Sequence, residues 1–74
     1  MKVDVVPGFM VQIVAAAAAL KNSPDDHVMI KGADNKMLVK DGSAMGEKML
    51  AENMVLFPKT VDGSLYLICI AVSR

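Results

Sequence analysis

An α+β fold, an open-faced sandwich of order β-α-β-β-α-β, is what this sequence predicts. Three observations lead there. Short runs rich in β-branched and other apolar residues alternate with two stretches of helical character. Glycine- and asparagine-bearing turns separate them. The 74 residues suffice for one domain only. That domain, covering residues 1–74, pairs a four-stranded antiparallel sheet with two helices on one face.

The elements follow in order. Val3, Val5 and Val6 read as a first strand, and Pro7-Gly8 stops it. Residues 9–21 contain five alanines and no Gly or Pro, which favours helix. Asn22-Ser23-Pro24-Asp25-Asp26 is turn chemistry. Residues 27–31 and 36–40 read as two strands joined by Gly32-Ala33-Asp34-Asn35, a hairpin signal. Asp41-Gly42-Ser43 opens a second helix running to Glu52 or Asn53, with Ser43 as its N-cap. Gly46 in the first turn is unfavourable for helix by about 1 kcal/mol, so it is expected to serve a close contact. Residues 55–58 lead into a loop, Asp62-Gly63 turns the chain, and residues 65–72 form the last strand.

Composition limits the chemistry. Eight basic and eight acidic residues cancel, and no basic stripe is visible, so nucleic acid is not an expected partner. His27 and Cys69 are the sole histidine and cysteine, which excludes a disulfide and leaves zinc without a ligand set. No cofactor or metal is expected. One thiol suits a reducing, cytoplasmic compartment. Met1-Lys2 and the apolar run 9–20 loosely mimic a secretion signal, but Asp4 and Pro7 argue against it. The same run is too short to span a membrane, which takes about 20 apolar residues.

Apolar residues make up 54% of the chain, above the usual range of about 45–50%. Two segments exceed what a lone domain requires. In the first helix, Phe9, Ile13, Ala16 and Leu20 form one apolar stripe, and Met10, Val14 and Ala17 form its neighbour. In the last strand, Leu65, Leu67, Cys69 and Ala71 face one way; Tyr66, Ile68, Ile70 and Val72 face the other. A strand with a wet face would alternate apolar with polar. The reading is a surface for a protein partner, including another copy of the chain; the alternative is an unusually apolar core.

Two stretches resemble a known family. Ser43-Ala44-Met45-Gly46-Glu47-Lys48-Met49-Leu50 matches the opening of the second helix of the histidine-containing phosphocarrier (HPr) family of bacterial sugar transport, the phosphotransferase system. More loosely, residues 8–15 sit where that family carries its active-site histidine, arginine and proline. The resemblance implies an HPr-like sheet, with the last strand between the first and second. The family's third helix has no counterpart here. The phosphorylated histidine falls on Met10, a thioether without a nucleophilic nitrogen. The phosphate-holding arginine falls on Gln12, which carries no charge for the anion, and the proline on Ile13. Phosphocarrier activity is therefore not expected, and the chain is not expected to be an enzyme.

What the resemblance does carry over is Ser43, which matches the family's regulatory phosphorylation site. A helix N-terminus favours phosphate, although Asp41 nearby opposes it, and the plain alternative is an N-cap serine. The resemblance also implies a partner-docking face on which Met10 and Met45 lie near one another, flanked by Gln12 and Met49. The function expected is a non-catalytic HPr-like regulatory or protein-interaction module. The alternative is a self-assembling structural module of ferredoxin-like topology, with the last strand at an edge beside the first. His27 beside Asp25 and Asp26 is read as a solvated turn. Cys69 is read as a buried small hydrophobe.

Overall fold

The computed structural model describes residues 7–72. Its elements are α1 (Pro7–Lys21), β1 (His27–Met29), β2 (Lys36–Lys40), α2 (Ala44–Ala51), β3 (Val55–Val61) and β4 (Ser64–Ile70). The strand expected at Val3, Val5 and Val6 lies outside the described residues. The four strands form one antiparallel sheet in the order β1-β2-β4-β3. The α+β class holds, with four antiparallel strands and two helices.

Residues 55–58, expected to lead into a loop, instead begin β3, which continues to Val61. The Asp62-Gly63 turn is where the sequence places it, with φ of 50° and 80° at its two residues. Positive φ at both central positions matches the right-handed twist of flanking strands, so such a turn joins two paired strands. Pro58 counts against a strand when read from sequence, because it donates no ladder hydrogen bond. Among the described strands β3 is at an edge of the sheet, where proline is tolerated. The pairing slips between Val55 and Phe57, so Leu56 sits in an irregularity of the ladder.

The helices lie on opposite faces of the sheet, not on one face. Leu38, Tyr66 and Ile68 are buried with Ile13, Ala16, Ala17 and Leu20 of α1. Their immediate neighbours Met37, Val39, Leu67 and Cys69 are buried with Met49 of α2. Since successive strand side chains point to opposite faces, one cluster is above the sheet and the other below it. This explains the continuous apolar run of the last strand: a strand covered on both sides has no wet face to alternate with. The predicted alternation of faces along β4 is the observed one. What it reports is a second helix layer.

β4 runs between β2 and β3, with Met37 opposite Cys69 and Leu38 opposite Ile68 on one side and Lys59 opposite Tyr66 on the other. Neither neighbour is the His27 strand, which pairs only with β2 among the described strands. The hairpin formed by β3 takes the edge of β4 that a phosphocarrier-like sheet gives to another strand. The same interior position differs from the edge position of a ferredoxin-like last strand.

α2 is fixed at both ends. Ser43 is its N-cap, as predicted, in an extended conformation with its Oγ accepting from the Gly46 amide at 3.1 Å. At the other end Asn53 takes a left-handed φ of 57°. The Met54 amide then donates to the Met49 carbonyl at 2.9 Å, and Asn53 to Leu50 at 3.2 Å. This is a Schellman ending, and the hydrophobic contact that accompanies it comes from Met49 and Met54 in one cluster.

Gly46 serves the close contact expected of it. A Cβ there would stand 2.9 Å from the Lys40 carbonyl oxygen, a backbone atom, and 3.2 Å from Ser43 Oγ. Helix propensity alone makes Gly46→Ala stabilising by about 1 kcal/mol, whereas overpacking costs about 1–3 kcal/mol. Because the obstacle is backbone, the second effect should win. Urea titration should show a lower midpoint for Gly46→Ala than for the parent chain.

Candidate functional site

The polar geometry of the described residues centres on Asp26. This residue ends the turn before β1, and its backbone carbonyl accepts from the Lys40 amide at 2.8 Å, which ties it to the end of β2. Its side chain reaches two further elements. Oδ1 lies 2.9 Å from Nδ1 of His27, and Oδ2 accepts from the Met45 amide at 3.1 Å. One carboxylate thus joins the start of β1 to the first turn of α2. The hydrogen bond from His27 and the Met45 amide hold the Asp26 carboxyl below its ordinary range, outweighing the partial desolvation that pushes the other way. A carboxylate near a helix N-terminus is also favoured by the helix dipole.

That bond fixes the imidazole. An ionised carboxylate only accepts, so Nδ1 must carry the proton. In the neutral ring Nε2 then keeps its lone pair. The sequence reading of His27 as a solvated turn residue therefore misses a defined orientation. The signal was the Asp26-His27 dipeptide itself, which gained geometry only when α2 supplied the amide that holds the carboxylate.

Beside His27 runs a groove of about 420 Å³ between α2 and the sheet. Met29, Met37, Met45 and Met49 line it together with His27. The register explains the convergence. His27 and Met29 are two residues apart on β1, and Met29 is directly opposite Met37. Met45 and Met49 are one helical turn apart on α2. Met37 and Met49 are buried, while Met29 is 52% exposed. Lys48 and Glu52, of opposite charge, stand at the same groove.

The docking face expected from Met10, Gln12, Met45 and Met49 does not form as one surface. Met10 packs against the α1 cluster and Met45 against the α2 cluster, on opposite sides of the sheet. Gln12 lines a different cavity, about 520 Å³, with Phe9, Lys31 and Lys36. Met45 and Met49 do come together, and their companions are His27, Met29 and Met37.

Ser43 Oγ is doubly engaged, donating to the Lys40 carbonyl and accepting from Gly46. Cys69 is fully buried in the α2-side cluster, and burial pushes its thiol up, away from the reactive thiolate. Among the described residues no three His, Cys, Asp or Glu side chains gather as a metal site. No helix among them is long and apolar enough to cross a membrane.

No protein-family model, curated protein or solved structure matches the chain. The phosphocarrier resemblance therefore rests on the residues that suggested it.

Removing the cap tests the structural role of Ser43. Ser43→Ala should lower stability by about 1 kcal/mol, while Ser43→Asp should recover only part of it, because a carboxylate accepts from the Gly46 amide but cannot donate to the Lys40 carbonyl. Thermal unfolding of the three proteins followed by circular dichroism checks this.

Proposed function

We propose that this chain is a non-catalytic protein-interaction module that associates with a second copy of itself through the outer face of α1. The observation that carries this is the character of that face. Val11, Val14, Ala15 and Ala18 recur at the spacing of one helical face, and all four are exposed, Val11 at 63% and Val14 at 52%. The opposite face of the same helix is already spent on the core through Ile13, Ala16, Ala17 and Leu20. Lys21 is the one charged residue of the helix. A solvent-facing helix side normally carries charge, and a contiguous apolar patch marks an interaction surface. The small alanines would let a second helix approach closely.

Absence of chemistry is proposed on the same residues as before. Met10 and Gln12 lack phosphate chemistry, Cys69 is buried, and His27 is committed to Asp26 through one ring nitrogen. A cytoplasmic setting is proposed from the single unpaired thiol.

A narrower reading makes the module a regulatory relative of the phosphocarrier family, switched at Ser43. Its support is Ser43 at the N-cap of α2 with Met45 and Gly46 following it, the residue pattern on which the resemblance rests. Against it stand the order β1-β2-β4-β3 and the helices on opposite faces. The ferredoxin-like alternative has the same difficulty.

Sedimentation velocity over a range of concentrations tests the association. The parent chain should show mass-action dimer formation. Val14→Glu combined with Ala18→Glu should sediment as a folded monomer, since both positions are exposed. A parent chain that stays monomeric throughout would rule the association out. Incubation with the sugar-transport phosphodonor enzyme should leave the chain unlabelled; phosphohistidine at His27 would overturn the non-catalytic reading.

A further inference from the structure

We propose that His27 Nε2 and the thioether sulfurs of Met29 and Met45 form a binding site for a soft monovalent metal ion, Cu(I). Ligand chemistry selects the ion. Thioethers are soft donors that bind Cu(I) and give little to zinc or magnesium, and imidazole is compatible with copper. The groove supplies four thioethers and one imidazole within one concavity. Its charged residues, Lys48 and Glu52, offset one another.

The second observation is the support behind the imidazole. Metal-binding histidines characteristically give their other ring N–H to a carboxylate, which fixes tautomer and orientation. Asp26 does this for His27 at 2.9 Å. Its second oxygen holds the Met45 backbone at 3.1 Å. The carboxylate therefore orients the His27 ring and anchors the Met45 backbone beside it before any ion arrives. Met29 belongs to the strand that carries His27, two residues on and on the same face. It is exposed enough to swing over an incoming ion. Met37 and Met49 are buried and form the apolar floor of the site.

Expecting no metal from one histidine and one cysteine considers only ligands suited to zinc. Seven methionines enlarge the donor set for a softer ion.

The site faces away from α1, so it stands or falls independently of self-association. The test is anaerobic titration with Cu(I) held by the chromogenic chelator bicinchoninate, using the full chain. Withdrawal of one Cu(I) per chain is expected. With 13C-methyl methionine labelling, the Met29 and Met45 methyl resonances should move while that of Met10 stays. Met29→Leu with Met45→Leu conserves volume and so should keep the fold, but should lose the competition. Asp26→Asn should weaken binding about 10–100-fold, the usual effect of removing such a support. Cys69→Ala should bind as the parent does. The proposal is overturned if the parent withdraws no Cu(I), if the double Leu variant binds like the parent, or if binding disappears with Cys69.

Discussion

The structure depends on a pair of strands buried on both faces. β2 and β4 pair along Lys36–Lys40, and between them Met37, Leu38, Val39 and the run from Tyr66 to Cys69 are removed from water. Each fully buried aliphatic side chain there contributes about 1.5–3 kcal/mol. A domain of this size cannot reach adequate stability from one thin layer, since cores below about 70–80 residues supply only about 3–5 kcal/mol. Placing α1 above and α2 below the same two strands makes every residue of their central stretch count. The arrangement also makes the helices interdependent. Losing either one exposes half the side chains of both central strands, so the halves cannot come apart without melting the sheet.

α2 is the weaker partner by length. Its eight residues fall below what an isolated helix needs to persist in water. Its stability has to come from its ends and its contacts. The Ser43 cap, the Schellman ending at Asn53, and the Asp26 carboxylate on the Met45 amide satisfy backbone groups that so short a helix leaves open. Asp26 has a wider part than a local cap because it lies 19 residues away in sequence. Through it the hairpin entrance, the histidine and the helix are one polar unit. Gly46 adds the constraint that α2 must approach Lys40 closely, which brings Met45 and Met49 over the sheet beside Met29 and Met37.

Local signals were legible in the sequence, and long-range ones were less so. The α1 helix, the hairpin turn at Gly32–Asn35, the Ser43 cap, the close-contact role of Gly46 and the alternation of faces in β4 all follow from residues adjacent in the chain. β3 was missed because Pro58 and the irregular spacing around Leu56 and Phe57 break the period that marks a strand; only the edge position excuses them. The side on which each helix packs was misjudged for a different reason. An all-apolar strand is equally compatible with one helix layer plus a partner and with two helix layers. The Met10–Met45 face failed with it, since that proximity required both helices on one side. The convergence of His27 with four methionines needed the β1–β2 register, which no local pattern announces.

Once α2 is recognised as the cover of the second face, the excess of apolar surface that the composition suggested is smaller and more localised. β4 needs no partner to explain it. Along α1 the core takes Ile13, Ala16, Ala17 and Leu20, and the described structure lays no strand or helix over Val11, Val14, Ala15 and Ala18. Leu56, Phe57, Leu65 and Ile70 are also exposed, but they are spread along the β3–β4 hairpin on both of its faces. Pro58 in the middle of that edge withholds an amide from any strand that would add there. Strand addition is thus disfavoured along β3, and helix-to-helix packing is one route by which the apolar surface of α1 can be shed. A helix-to-helix contact between identical faces closes on itself as a dimer, whereas strand addition at an open edge would propagate. The placement of one proline and the absence of charge on one helix face both fit the proposed dimer better than open-ended growth. The proposed dimer would leave the methionine groove, on the far side of the sheet, open to solvent.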